Sequence, residues 1–333
     1  MRARAHRLLV GVVASVVLIG ACSGQRQSGG LSGSVVGDGS STVFPISEAI
    51  AEAFGKENPD VRVTVGVSGT GGGFKKFCEG ELDFNDASRP IKKEEMERCA
   101  AKGIEFIELP IAYDGISVLV NKANDWVDYI TVAELKKAWE PDAQGKVTRW
   151  NQIRPSWPDR PLQLYGPGTD SGTFDYFTEA VVGKQDASRG DYTASEDDNV
   201  LVQGVSGDPN ALGYFGYAYY VENQDKLKAV PIVNPKTSKP VLPSEETIKS
   251  GEYSPLSRPL FVYVTKNASL RPEVRAFLDF YLSHPEIIAA TGYVSLSSEL
   301  YSRASKRLAA GTTGSAFGGA TELGPGGLEQ AYK

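Results

Sequence analysis

At 333 residues, the chain is long enough for two domains, or one large one, with a full hydrophobic core. With 41% apolar and 23% charged residues it has the composition of an ordinary globular protein. The net charge of −6 is spread along the chain, which argues against nucleic acid as a partner, because backbone phosphates need a basic face.

Residues 1–21 read as a targeting segment. Arg2, Arg4 and Arg7 make a basic n-region, and Leu8 to Ile19 an apolar stretch of h-region length. The stretch ends in Leu18-Ile19-Gly20-Ala21-Cys22, which resembles a bacterial lipobox. That resemblance implies cleavage before Cys22 and acylation of its thiol; a plain signal peptide or anchor helix is the alternative. Residues 22–33 are small and polar, as suits a tether lifting a domain off a membrane. Loss of the three arginines takes the net charge from −6 to −9, so the expected mature protein is soluble, acidic and outside the cytoplasm. There, Cys78 and Cys99 are expected to pair, closing a loop worth about 3 kcal/mol. Zinc is disfavoured because His284 is the one histidine left after processing, and no cofactor is expected.

From Ser34 the chain alternates strands and helices, the pattern of an α/β protein. Ser34 to Gly37 reads as a strand and Gly39-Ser40-Ser41-Thr42 as a turn. A helix follows with Ile46, Ala49, Ile50, Ala53 and Phe54 on its apolar face and Pro45 in its first turn. Val61, Val63, Val65 and Val67 alternate as a strand, then Ser68 to Gly73 turn into a short helix carrying Phe74, Phe77 and Cys78, stopped by Gly80. Leu82 to Asn85 is a strand running into Asp86-Ala87-Ser88-Arg89-Pro90, and Lys92 to Ala101 a charged helix. Ile104 to Leu109 and Gly115 to Asn121 read as two strands, the second apolar enough to be central. Thr131 and Glu134 fit a capping box at the head of a helix ending at Trp139. Leu162 to Tyr165 leads into Gly166 to Thr173, followed by Phe174, Phe177, Ala180 and Val181 at helical spacing. A helix begins over Asp197 to Gly204. Ala211 to Tyr220 is aromatic and strand-like, its Tyr214, Phe215, Tyr217, Tyr219 and Tyr220 read as packing rather than as a sugar platform. Leu260 to Val264 is a strand and Pro272 to Leu282 a helix, and residues 311–333 are Gly-rich, the mark of a flexible tail.

Three strand–turn–helix junctions, at Gly39 to Thr42, Ser68 to Gly73 and Thr169 to Thr173, share one chemistry. Small and hydroxyl residues let backbone N–H groups at a positive helix end reach an anion. Ser and Thr also cap helices routinely, so one such turn says little; three in one α/β chain point to a ligand at the strand ends. A phosphate-loop nucleotide site is excluded because Gly166 to Thr173 lacks the lysine. A serine-hydrolase elbow is excluded because Thr169 stands where glycine is needed and histidine is scarce. Arg89 offers a planar fork for an oxyanion, with a surface ion pair as its bland alternative. A carboxylate beside a bound anion repels it unless the anion brings a proton, so a site carboxylate selects monohydrogen phosphate over sulfate.

GDGSSTVFPISEAIAEAF, VSGTGGGFKKFCEGELDFNDASRPI, YDGISVLVN, GPGTDSGTFDYF and NALGYFGYAYY, in this order, resemble the phosphate-binding lipoprotein of ABC-type phosphate transporters, the PstS family. The match covers most of Ser34 to Leu308. It implies a two-lobed periplasmic-binding-protein fold of type II, with lobe one at 34–116 plus 259–310 and lobe two at 117–258. Two crossing segments, near Gly115 to Val118 and Arg258 to Val262, would form the hinge. It also implies capture of inorganic phosphate by a monomer for an ABC permease, with a sulfate or molybdate receptor or a phosphate sensor as alternatives; no catalysis is expected. Carried over by motif, the ligand contacts are Ser41, Thr42, Ser68, Gly69, Thr70, Ser88, Ser171, Gly172 and Thr173, with Ser40 beside them. The family pattern has an arginine shortly before the DSGT-like turn, where Gly166-Pro167-Gly168 stands here. Arg89 is expected to supply that cation, and Asp86 or Asp170 the carboxylate that accepts the phosphate proton.

Overall fold

The computed structural model describes residues 30–169, 171–195, 197–320 and 327–333. The expected signal peptide, Cys22 and Asp170 lie outside these residues. From Leu31 onward the chain forms one compact unit. Among the described residues no helix is long and apolar enough to cross a membrane.

The first half of the chain alternates as its hydrophobic periods require. Strand β1 (Gly33–Gly39) leads to helix α1 (Phe44–Glu57), β2 (Val61–Val65) to α2 (Gly69–Cys78), and β3 (Phe84–Ala87) to α3 (Lys93–Ala101). Strand β4 (Phe106–Asn121) and helix α4 (Val132–Trp139) follow. Next come β5 (Gln163–Gly166), α5 (Gly172–Phe177), α6 (Asp198–Gly207), β6 (Ala211–Gly216) and α7 (Tyr217–Glu222). The chain returns through β7 (Ser257–Thr265), α8 (Pro272–Ser283), α9 (Ser298–Ala310) and α10 (Gly327–Ala331). The strands join in the order β2-β1-β3-β7-β4-β6-β5 within a main sheet, beside which lies a separate three-stranded sheet, and the whole is a mixed α/β fold. Strands β1, β2 and β3 are parallel, so the turns after them collect at one edge of the sheet, where α/β proteins place their ligands.

β4 departs from the sequence reading. Two strands were expected; one strand of 16 residues, buried throughout, runs from Phe106 to Asn121. It pairs with β7 as far as Gly115 and with β6 from Ile116 onward, so it changes partners between adjacent residues. Tyr217, Tyr219 and Tyr220 lie on α7 rather than on a strand.

Cys78 and Cys99 form a disulfide between α2 and α3. Thr131 and Glu134 form the expected capping box, the Thr131 hydroxyl accepting from the Glu134 amide at 3.2 Å. The flexible tail expected over 311–333 needs correction, because its described parts are docked. The Gly314 amide bonds to the Phe106 carbonyl, the Phe317 ring packs edge-on to Phe261 at 5.7 Å, and Leu328 is fully buried. Composition suggested disorder, but these few apolar anchors suffice to hold the segment.

Candidate functional site

The turns after β1, β2 and β3 are tied into one wall. The Ser40 amide donates to the Asp86 carbonyl at 3.0 Å and the Ser68 amide to the Gly39 carbonyl at 3.1 Å. The Ser88 amide donates to the Thr70 hydroxyl at 3.1 Å, and the two hydroxyls lie 3.1 Å apart. Lys76 pairs with Asp38 and fixes α2 to the end of β1. Burial works to raise the Asp38 carboxyl, but bonds from Lys76, Ser68 and the Gly39 amide outweigh it and hold it below its ordinary value.

That wall borders a cleft of about 800 Å³. Ser40, Ser41, Thr42, Ser68, Gly69, Thr70, Ser88 and Arg89 line it; the facing wall carries Asp175, Tyr176, Glu179, Asn234, Lys236 and Ser254. Helices α1 and α2 begin with no side-chain cap and no acidic residue in the first turn. The first N–H groups of α2 and the positive end of its dipole are therefore left for a ligand, whereas at α1 the Phe44 and Ile46 amides are taken by the Ser40 and Val43 carbonyls and Pro45 has no N–H.

The Ser171–Thr173 turn meets the first wall directly instead of lining the cavity. Thr42 Oγ1 donates to the Gly172 carbonyl at 3.1 Å, and Ser41 donates to the Asp175 carboxylate. Ser171 caps its own helix by accepting from the Thr173 amide at 3.2 Å.

Two expectations are corrected by the geometry. Asp86 does not face the cleft. Side chains alternate along a strand, and on β3 Asp86 shares the face of Phe84, turned toward α1 and α8. There its fully buried carboxyl accepts from the Ser47 hydroxyl at 2.9 Å, which also lies 3.0 Å from Tyr281 Oη. Arg89 borders the cleft, but its fork is taken up: Nη1 and Nη2 hold the two Glu95 carboxylate oxygens at 2.9 and 2.8 Å. The bland ion-pair reading of this arginine is the one the structure bears out.

Burial, with the Asp38 charge adding to it and Ser47 opposing, pushes the Asp86 carboxyl up from 3.8 to about 8. The folded protein therefore keeps a proton that the unfolded chain has lost between those values. Stability should fall as pH rises from about 4 to about 8 and then level off. Asp86→Asn, which is isosteric and never charged, is expected to flatten this slope in urea denaturation across that range. A slope equal to that of the parent protein would rule Asp86 out as its source.

Two residues that sequence reasoning passed over occupy the cleft floor and rim. Arg258 opens β7, and its Nη2 donates to Thr42 Oγ1 at 2.8 Å. Its Nε lies 3.4 Å from buried Asp114, and its guanidinium stacks 3.5 Å from the centroid of Tyr176. Burial raises the Asp114 carboxyl against the opposing pull of Arg258. The available signal was a lone cation in the otherwise uncharged Arg258-to-Val264 run. Asp175, one turn into α5, is half-buried; burial raises its carboxyl, the Ser41 bond opposes this, and Asp186 repels it further. Among the described residues no group of three or more His, Cys, Asp or Glu side chains could hold a metal ion.

Against known proteins, the model of the PBP superfamily domain matches residues 24–285. The chain is 52% identical over 300 residues to Protein SphX of Synechococcus elongatus, covering 90% of this chain and 88% of that one. It is 43% identical over 270 residues to the phosphate-binding protein PstS of Staphylococcus saprophyticus, covering 80% and 81%. The crystal structure of a possible phosphate binding protein from Planctomyces limnophilus superposes with a TM-score of 0.81 at 49% identity, over 85% of this chain and 99% of that one.

Proposed function

Since the chain belongs to the PstS family of phosphate-binding proteins, we propose that it captures inorganic phosphate outside the cytoplasm and hands it to an ABC-type importer. The observation that carries this reading is the convergence on one cleft of the uncapped start of α2, the Thr42, Thr70 and Ser88 hydroxyls, and the Arg258 guanidinium. A tetrahedral oxyanion needs many N–H and O–H donors and a delocalised cation, and this wall offers both.

In this reading Arg258 takes the cationic role. Ser41, Thr42, Ser68 to Thr70 and Ser88 cradle the anion, and Ser171 to Thr173 close over it. Residues 34–116 with 259–310 form one lobe and 117–258 the other, hinged where β4 changes partners. The Ser41–Asp175 and Thr42–Gly172 bonds are the latch between them. Asp175 is the carboxylate that accepts a hydrogen bond from the P–OH of monohydrogen phosphate, a group sulfate does not carry at neutral pH. Cys22 anchors the receptor to the membrane by its lipid, the binding unit is a monomer, and no cofactor or catalytic step takes part.

Charge-assisted hydrogen bonds contribute about 1.5–3 kcal/mol each. Several of them, less desolvation and closure, leave about −8 kcal/mol or better, a micromolar Kd or tighter. Titration calorimetry should therefore show phosphate binding in that range, undiminished by excess sulfate. Sulfate binding of equal strength would replace this reading with a general oxyanion receptor.

A further inference from the structure

Glu108 is a fully buried acid on β4 and is not among the ligand contacts assigned above. Its Oε2 accepts from the Tyr263 hydroxyl at 2.8 Å. Its Oε1 accepts from the Ala316 amide at 2.9 Å and the Tyr332 hydroxyl at 2.7 Å. The Tyr263 oxygen in turn accepts from the Ile91 amide at 2.9 Å. Ile91 directly follows Ser88, Arg89 and Pro90, the part of the cleft wall that leaves β3.

A relay therefore runs from Tyr332 through Glu108 and Tyr263 to the third turn of the cleft. Its last residue sits in a segment that is firmly held. Leu328 is buried, and Arg303 donates to the Glu329 and Tyr332 carbonyls at 3.1 and 3.3 Å. The same segment also touches the opposite wall. Gly327 lies against the Lys249 carbonyl so closely that a Cβ there would come within 2.9 Å, and Ser250 and Gly251, next in the chain, line the cleft.

We propose that Tyr332 is a positioning residue for the anion cradle: by orienting Glu108, and through it Tyr263, it fixes the Ser88–Ile91 turn. This rests on the reading of the cleft as a phosphate site. Hydrogen bonds in a buried chain polarise one another. A carboxylate that loses one donor turns toward those that remain, and the Tyr263 hydroxyl turns with it.

The test uses Tyr332→Phe, which keeps the ring that packs against Phe317, together with Tyr263→Phe and the double variant. Tyr332→Phe is expected to weaken phosphate binding about fivefold and to speed hydrogen exchange at the Ile91 amide, with or without phosphate. Tyr263→Phe should do at least as much, and the double variant no more than Tyr263→Phe alone, because both act through one relay. Thr131→Ala, which loosens a cap with no link to Glu108, is the control; it should lower the melting temperature and leave the Kd unchanged. Tyr332→Phe with parental Kd and parental Ile91 exchange would overturn the proposal, as would single effects that simply add. A parent protein without phosphate affinity would sink the phosphate reading on its own, since the Ile91 comparison needs no ligand.

Discussion

Arg258→Gln is expected to weaken phosphate binding by between about tenfold and a hundredfold, the equivalent of one charge-assisted contact. The variant also leaves Asp114 buried without its cation, which costs about 3–5 kcal/mol when a charged partner stays behind. The two effects separate. Asp114 already has a raised pKa, so without Arg258 it protonates more readily, and the stability loss should deepen as pH rises. Adding Asp114→Asn to Arg258→Gln should restore the melting temperature at neutral pH and leave the affinity impaired. If Arg258→Gln binds phosphate within about twofold of the parent, the cation of this site lies elsewhere.

Gly172→Ala is expected to abolish tight binding while the unliganded fold survives. A methyl group at Gly172 would lie 2.5 Å from Thr42 Cα and 2.6 Å from its amide nitrogen. Both are backbone atoms, so no side chain can swing aside; the clash is relieved by parting the two walls. Alanine itself suits the first turn of a helix, so the open form is not penalised. Calorimetry should show an affinity loss of more than about tenfold. Small-angle scattering should show that phosphate compacts the parent and leaves the variant unchanged. Parental affinity in Gly172→Ala would mean that the Thr42–Gly172 contact is not needed for binding.

Much of this arrangement was legible in the sequence, because it rests on local chemistry. The turns after β1 and β2, Pro45 at the head of α1 and the Thr131–Glu134 box each follow from residues a few positions apart. Contacts made between distant segments were not legible. The sequence reading stopped one strand at Leu109 and began the next at Gly115, leaving Pro110 to Asp114 between them. In the sheet, Phe261 pairs with Pro110 and Leu260 with Ala112, so Ile111 bulges out, and a proline is tolerated at such a place. The freed Ile111 carbonyl accepts from Tyr301 at 2.8 Å. Asp86 was placed in the site by its nearness to Ser88, and the strand's alternation turned it away. Arg89 was assigned to the ligand to replace the arginine missing before the DSGT-like turn; its partner Glu95, six residues on in the next helix, takes up its fork instead. Tyr217 to Tyr220 have strong strand preference, yet the chain turns into a helix directly after Gly216. Tertiary packing overrides such preferences readily.

The point where β4 changes partners carries one more consequence. Asp114 and Arg258 face each other across the β4–β7 ladder, at the last pairs before the exchange at Gly115. With the hinge proposed above at this point, the cation at the cleft floor rides on the two strands that flex when the walls separate. Any bend there changes how far Arg258 reaches toward Thr42, and any pull on Arg258 bends the strands. Under the proposed function, occupancy and shape are then a single mechanical coordinate, which a membrane partner would read from the outer contour alone.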